Sequence, residues 1–218
     1  MIDWKAIRTV FLDMDGTLLD LHFDNHFWLE HVPQKYAGQH GMALDEARRV
    51  LEEKYQAITG TLNWYCIDYW SDALELDIAA LKRDIEHLIA IRPGASGFLK
   101  ALRSSDKRVV LVTNAHQKSL SLKMAQTGLE TYFDAMICSH DLGLPKEDPA
   151  FWEKVKAVEP FDVDSTLLID DSHTVLESAR IAGIRHLRSI QQPDSQQAPR
   201  PEGDFIAVGD FSRLLPVA

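Results

Sequence analysis

Hydrophobic and polar positions follow two different rhythms along this 218-residue chain, and the change of rhythm divides it. From residue 93 onward, short runs of Val, Ile and Leu trade places with longer stretches whose apolar residues recur every three or four positions. Strands and helices are therefore predicted in alternation. The pattern places a helix over 95–104 after the Pro93-Gly94 turn, a strand over 108–113, and a helix over 116–127 closed by Gly128. A strand over 135–138, a helix over 149–158, a strand over 166–169 and a helix over 172–182 closed by Gly183 continue it, with a short strand near 185–189. Residues 191–204 are polar and Pro-rich and predict a mobile loop. Phe205–Val208 then returns as a last apolar stretch. Alternation at this spacing predicts the α/β class, a parallel sheet covered by helices on both faces.

Near the start, the apolar run Val10-Phe11-Leu12 reads as a buried strand of the same sheet. The stretch between it and residue 93 has another character. Residues 21–92 hold few strand-like runs and several amphipathic helical patterns, such as Leu44, Ala47, Val50, Leu51, Tyr55 and Ile58 within 43–59. They predict an all-helical insertion lying as a lid over the carboxyl ends of the strands. The expected organisation is a core domain of residues 1–20 and 93–218 and a helical domain of residues 21–92.

Composition narrows the setting. The chain is 45% hydrophobic and 26% charged, ordinary for a globular protein, and its net charge is −10. That charge argues against nucleic acid or an anionic membrane as partner, because no basic field would attract a polyanion. A small phosphorylated substrate is not excluded, since local cations dominate a site. Cys66 and Cys138 lie far apart and show neither disulfide framework nor metal-ligand spacing. With no signal-peptide pattern and no apolar run near the length of a membrane span, the expected location is cytoplasmic.

The chemistry concentrates where strands end. Residues 10–17 read Val-Phe-Leu-Asp-Met-Asp-Gly-Thr. Side chains two apart on a strand point the same way, so Asp13 and Asp15 leave the sheet together, and Gly16 permits a sharp turn after them. Two carboxylates so close repel each other unless a cation or a proton intervenes. The arrangement suits a divalent metal, a nucleophile and a proton-transfer group; the plainer reading is a polar turn with two solvated acids. Residues 109–114, Val-Val-Leu-Val-Thr-Asn, and 167–172, Leu-Leu-Ile-Asp-Asp-Ser, also run an apolar strand into polar groups, and Lys146 lies in the loop between them. In parallel sheets ligands bind beyond such carboxyl ends.

These four segments, in this order, resemble the motifs of the haloacid dehalogenase-like superfamily. The resemblance implies a Rossmann-like core with an inserted C1-type helical cap, and phosphoryl transfer through Asp13 as nucleophile with Asp15 as general acid and base. It further implies that Thr113, Asn114 and Lys146 hold the phosphoryl group, helped by backbone N–H groups near Met14 and Asn114. Mg²⁺ is implied as cofactor, a hard cation that a few carboxylate and carbonyl oxygens hold. Its implied ligands are the Asp13 carboxylate, the Asp15 carbonyl and Asp171, with Asp170 as supporting partner or substitute. The superfamily's dehalogenases lack an acid at the position of Asp15, which favours phosphoryl over carbon–halogen chemistry. Two departures stand out. Glu147 follows Lys146 where many relatives have proline, and Val175 occupies a position where many carry a further acid.

A narrower resemblance rests on Phe23-Asp-Asn-His-Phe-Trp28, on Thr61-Leu-Asn-Trp-Tyr-Cys-Ile-Asp-Tyr-Trp70, on Thr113-Asn-Ala-His116 and on Pro145-Lys-Glu-Asp148. Together these are similar to the bacterial GMP/IMP 5′-nucleotidase subgroup, which implies a purine nucleoside monophosphate as substrate. A phosphatase of a small sugar or organic-acid phosphate such as phosphoglycolate would use the same core under another cap. A sugar-phosphate mutase and a non-catalytic binding member are further alternatives. The aromatics Trp64, Tyr65, Tyr69 and Trp70, and likewise Phe23, Phe27 and Trp28, read either as cap core or as a platform on which a base stacks. His22 and His26, four apart on a helix, have a spacing able to hold zinc but no third ligand nearby in sequence, and read otherwise as cap histidines. His116 reads as a surface residue or a neighbour of the phosphate.

Overall fold

The computed structural model describes residues 2–201 and 203–217. Its strands are β1 (Thr9–Leu12), β2 (Arg108–Thr113), β3 (Ala135–Cys138), β4 (Thr166–Ile169), β5 (His186–Ile190) and β6 (Ala207–Val208). They form one sheet in the order β3-β2-β1-β4-β5-β6, and every pairing is parallel. Sequence and fold agree on the period of two. Val10 and Leu12, with Leu111 and Ile169, belong to one apolar cluster, whereas Phe11, Val110 and Leu168 belong to the cluster on the opposite face. Helices α6 (Ala95–Arg103) and α7 (Gln117–Thr127) cover the first face through Phe98, Leu102, Leu120 and Met124. Helices α9 (Pro149–Val158) and α10 (His173–Ile181) cover the second through Phe151, Trp152, Val155 and Leu176, and the short α8 (Ser139–Leu142) precedes them.

Residues 22–88 are helical and carry a third apolar cluster of their own, around Phe23, Phe27, Leu51, Trp70 and Ile78. Helix α1 (His22–His26) runs through a π-helical turn, Phe27–His31, into α2 (Val32–His40). Pro33 explains the widened turn: it has no N–H, and its ring would strike the carbonyl four residues back in a regular helix. Helices α3 (Leu44–Ile58), α4 (Ile67–Leu74) and α5 (Ile78–Asp84) complete the layer. The chain enters and leaves it side by side. Asp20 N–H donates to the Ala90 carbonyl and Arg92 N–H to the Leu18 carbonyl, at 2.9 Å each.

One sequence expectation needs correction. The described part of 191–204 is not a free loop but a strap tied to those crossings. The Arg92 guanidinium donates to the carbonyls of Gln192 (2.5 Å) and Pro193 (2.9 Å), and Asn25 donates to Asp194 at 2.7 Å. Leu21 N–H reaches the Pro193 carbonyl and Ser195 N–H reaches Asp20, both at 3.0 Å. Its polar, Pro-rich composition prevents regular structure yet supplies donors and acceptors to a neighbour distant in sequence. Among the described residues no helix is long and apolar enough to cross a membrane.

Candidate active site

In-register pairing sets the site. Leu12 lies beside both Leu111 and Ile169, so the residues following β1, β2 and β4 emerge together at one edge of the sheet. Asp13, Asp15, Thr113, Asn114, Lys146, Asp170 and Asp171 all line a single cavity of about 640 Å³ there. The sequence placed every one of these residues at a candidate site, and the fold brings all of them to one place.

Lys146 is the hub. Its buried ammonium donates to Asp13 Oδ1 (2.6 Å), Asp170 Oδ2 (2.7 Å) and the Val112 carbonyl (3.0 Å), which uses all three donors. Its backbone is fixed as well. Lys146 N–H donates to Asn114 Oδ1 at 2.9 Å, and the Ser178 hydroxyl, itself held by Trp152, donates to the Lys146 carbonyl. Burial alone would lower this lysine's pKa, but the two aspartates outweigh it and hold the ammonium charged above its usual range. Burial drives Asp170 the other way, up to about 7, with Asp13 adding and Lys146 opposing. Asp171 is pushed well up by burial and then by the charges of Asp13 and Asp170.

The carboxylates of Asp13, Asp170 and Asp171 offer oxygens that lie within 4.8 Å of one another. Among the described residues Asp13 Oδ2 is buried without a hydrogen-bond partner. Both Asp170 oxygens are engaged, by Lys146 and by Ser172 N–H at 2.9 Å. Among the described residues Asp171 meets only Arg200, whose guanidinium donates to its carbonyl and approaches Oδ2 at 3.4 Å. An orphaned buried oxygen and an excess of hard oxygen donors fit a divalent cation, with Asp13 and Asp171 freer to ligate than Asp170. Gly16 makes room for this: it adopts a φ of +80°, and a Cβ there would lie 2.7 Å from Asp171 Cγ.

Asp15 belongs to a second charged group that the sequence reading missed. Burial lifts its carboxyl to about 6, Asp24 adds to the rise, and Lys123 opposes it. The Lys123 ammonium contacts Asp15 Oδ1 and Asp24 Oδ2, each at 2.6 Å. One signal was available: Lys123 falls on the face of α7 that also carries Leu120 and Met124, where a charge is out of place without partners.

The aromatics divide. Trp28, Tyr55, Trp64 and Tyr65 line the cavity, and Tyr65 donates to Glu147 at 2.5 Å while Asn114 holds the other Glu147 oxygen at 2.9 Å. Phe23, Phe27 and Trp70 do not line it; they are buried in the helical cluster. For Phe23 and Phe27 this corrects the base-platform alternative, because both rings are fully buried and leave no face for a base. His116 lines the cavity and accepts from Lys118 N–H as the N-cap of α7. His22 lies 3.7 Å from Asp194, and among the described residues neither His22 nor His26 joins a cluster of three potential metal ligands.

A parallel α/β sheet that brings buried carboxylates and a lysine together at its carboxyl edge defines a site suited to a cation and an anionic group. The family described as haloacid dehalogenase-like hydrolase matches residues 7–183. The GMP/IMP nucleotidase YrfG of Escherichia coli is 40% identical over 215 residues, covering 99% of this chain and 97% of that protein. The phosphoglycolate phosphatase of Pseudomonas putida is 23% identical over 96% of this chain and 79% of its own length. In structure, a HAD phosphatase from Thermococcus onnurineus superposes with a TM-score of 0.79 at 21% identity, covering 95% of this chain and 96% of that one. The chain belongs to the haloacid dehalogenase-like hydrolase family.

Proposed function

We propose that the protein is a Mg²⁺-dependent phosphomonoesterase that works through an aspartyl-phosphate on Asp13, and that its substrate is a purine nucleoside 5′-monophosphate. One observation carries the reading. The cavity is two-ended, with Asp13, Lys146 and Asp171 at the sheet edge and Trp28, Tyr55 and Trp64 on the helical layer opposite. A nucleotide has the same two ends, a dianionic phosphate and a flat base. The volume of about 640 Å³ suits a small ligand. The 40% identical GMP/IMP nucleotidase supports the choice of base.

The residues take their roles from position. Mg²⁺, held by the Asp13 and Asp171 carboxylates with the Asp15 carbonyl, would supply positive charge against the phosphoryl dianion. Lys146 and the Thr113 hydroxyl hold phosphoryl oxygens, and Asn114 fixes the Lys146 and Glu147 loop. Asp13 attacks phosphorus, and Asp15 passes a proton to the departing alcohol. Asp15 then takes a proton from the water that releases phosphate. We read residues 21–92 as a cap whose seating excludes bulk water during transfer.

Phosphate release from a panel of GMP, IMP, AMP, phosphoglycolate and sugar phosphates tests this. The expected result is turnover with Mg²⁺, none with EDTA, and the highest kcat/KM on GMP or IMP. Higher kcat/KM on phosphoglycolate would replace the nucleotide reading with that of a small-acid phosphatase.

The aromatic end has its own test. Trp64 packs edge-on against Tyr55 (centroids 5.6 Å apart) and Trp70 (6.2 Å), which holds its ring at the cavity wall. Trp64→Ala should weaken GMP turnover by about 1–3 kcal/mol in kcat/KM, the worth of one stacked base. An aryl phosphate without a base should lose much less. Equal losses on both would make Trp64 packing alone.

A further inference from the structure

Four charged side chains alternate in sign through the seam between the helical layer and the sheet: Lys82, Asp24, Lys123 and Asp15. Lys82 donates to Asp24 Oδ1 at 2.9 Å, and Lys123 donates to Asp24 Oδ2 and Asp15 Oδ1 at 2.6 Å each. Both ammoniums are buried, with side chains 4% and 1% exposed. Phe23 lies between them, its ring centroid 5.0 Å from Lys82 Nζ and 5.1 Å from Lys123 Nζ. Lys82 and Asp24 belong to α5 and α1 of the helical layer, whereas Lys123 and Asp15 belong to the core.

A buried ammonium is costly without partners, and an apolar side chain beside Leu120 and Met124 would pack on that face of α7 at no such cost. Lys123 therefore does something packing does not require. It grips one oxygen of Asp15, and it is itself steadied by Asp24 and covered by Phe23, both from the other layer. If the helical layer lifted, Asp24 would leave with Lys82, and Lys123 would lose its second anchor and its cover. We propose that Lys123 and Asp24 are positioning residues: they hold the Asp15 carboxyl at its proton-transfer position, and do so fully only when the helical layer is seated on the sheet. This inference rests on the reading of Asp15 as the proton donor to the leaving alcohol.

The leaving group discriminates. The alcohol released from GMP needs a proton, whereas 4-nitrophenolate leaves an aryl phosphate without one. The experiment measures kcat/KM, which reports the step in which the leaving group departs, on GMP and on 4-nitrophenyl phosphate with Mg²⁺. It compares the unaltered protein with Asp15→Asn, Lys123→Met and Asp24→Asn, with thermal melting as the check on folding. Asp15→Asn should lower the GMP-to-aryl ratio by about 100-fold or more, the scale of general acid catalysis. Lys123→Met should lower it by roughly 10- to 100-fold, as misplacement of a catalytic group does. Asp24→Asn should lower it several-fold, and this nearly isosteric change carries the test if Lys123→Met fails to fold. If Asp15→Asn shifts the ratio but folded Lys123 and Asp24 variants lose activity equally on both esters, the positioning role is overturned and the reaction stands. If Asp15→Asn itself leaves the ratio unchanged, the assignment of Asp15 falls and the positioning role falls with it.

Discussion

Asp13→Asn is expected to fold normally and to lose phosphatase turnover by at least about 10⁴-fold, the scale on which removal of a catalytic nucleophile is felt. The amide has nearly the shape of the carboxyl but cannot form an acyl phosphate. Its neighbours predict the intact fold. Lys146 keeps Asp170 Oδ2 at 2.7 Å and the Val112 carbonyl at 3.0 Å when Asp13 loses its charge, so no buried ammonium is abandoned. The backbone link from Asp13 N–H to the Ile169 carbonyl, 3.0 Å, is untouched. Phosphate release and a thermal melt in parallel check both halves. Retention of a tenth of the rate would remove Asp13 from the nucleophile's role. Rapid acid quenching should trap a phosphorylated chain from the unaltered protein and none from the variant.

The sheet and its motifs were legible in the sequence because their physics is local. A strand with both faces buried must be apolar at every position, as Val10, Phe11 and Leu12 are, and the polar residue that ends it lies at the sheet edge by construction. The fate of the aromatics was not legible. Phe23, Phe27 and Trp28 lie within six residues on one helical turn and the next, yet Phe23 and Phe27 are buried and Trp28 reaches the cavity. Which face of a helix meets a cavity depends on partners the local pattern does not contain. The same limit hid the strap. Nothing near residues 191–200 announces that Arg92 and Asn25 bind it, or that Arg200 reaches Asp171. Lys123 was hidden in another way: its partners, Asp15 and Asp24, are 108 and 99 residues distant in sequence.

That separation has a functional side. Asp13, Lys146 and Asp171 reach the cavity from strand termini and the loops that follow them, while Trp28, Tyr55, Trp64 and Asp24 reach it from the helical layer. Under the proposed function, chemistry and selectivity would therefore sit on different layers. Glu147 joins them, accepting from Tyr65 of the helical layer and from Asn114 at the end of β2. The carboxylate that follows Lys146 thus ties the helical layer to the end of β2.

Lys146→Met should damage both activity and stability. The lysine is buried between Asp13 and Asp170, and taking one partner out of a buried ionic group costs about 3–5 kcal/mol, because the acids left behind must either stay charged without a counter-ion or take up a proton. For a chain of this size that corresponds to a fall in Tm of roughly 6–20 °C. The pH dependence follows from Asp170. Burial already raises its carboxyl to about 7, and Lys146 is what restrains the rise. A carboxyl whose pKa is raised in the folded state binds protons more readily folded than unfolded, so stability falls as pH climbs from the unfolded value of about 3.9 to the folded one. In the unaltered protein that decline ends near 7, and without Lys146 it continues above 7. The stability gap between the two proteins, measured in EDTA by chemical denaturation, should therefore widen between pH 7 and 8, by up to about 1.4 kcal/mol for one proton. A gap that stayed constant or narrowed over that interval would show that Lys146 does not govern the charge of Asp170, and the lysine would lose its place as the hub of the site.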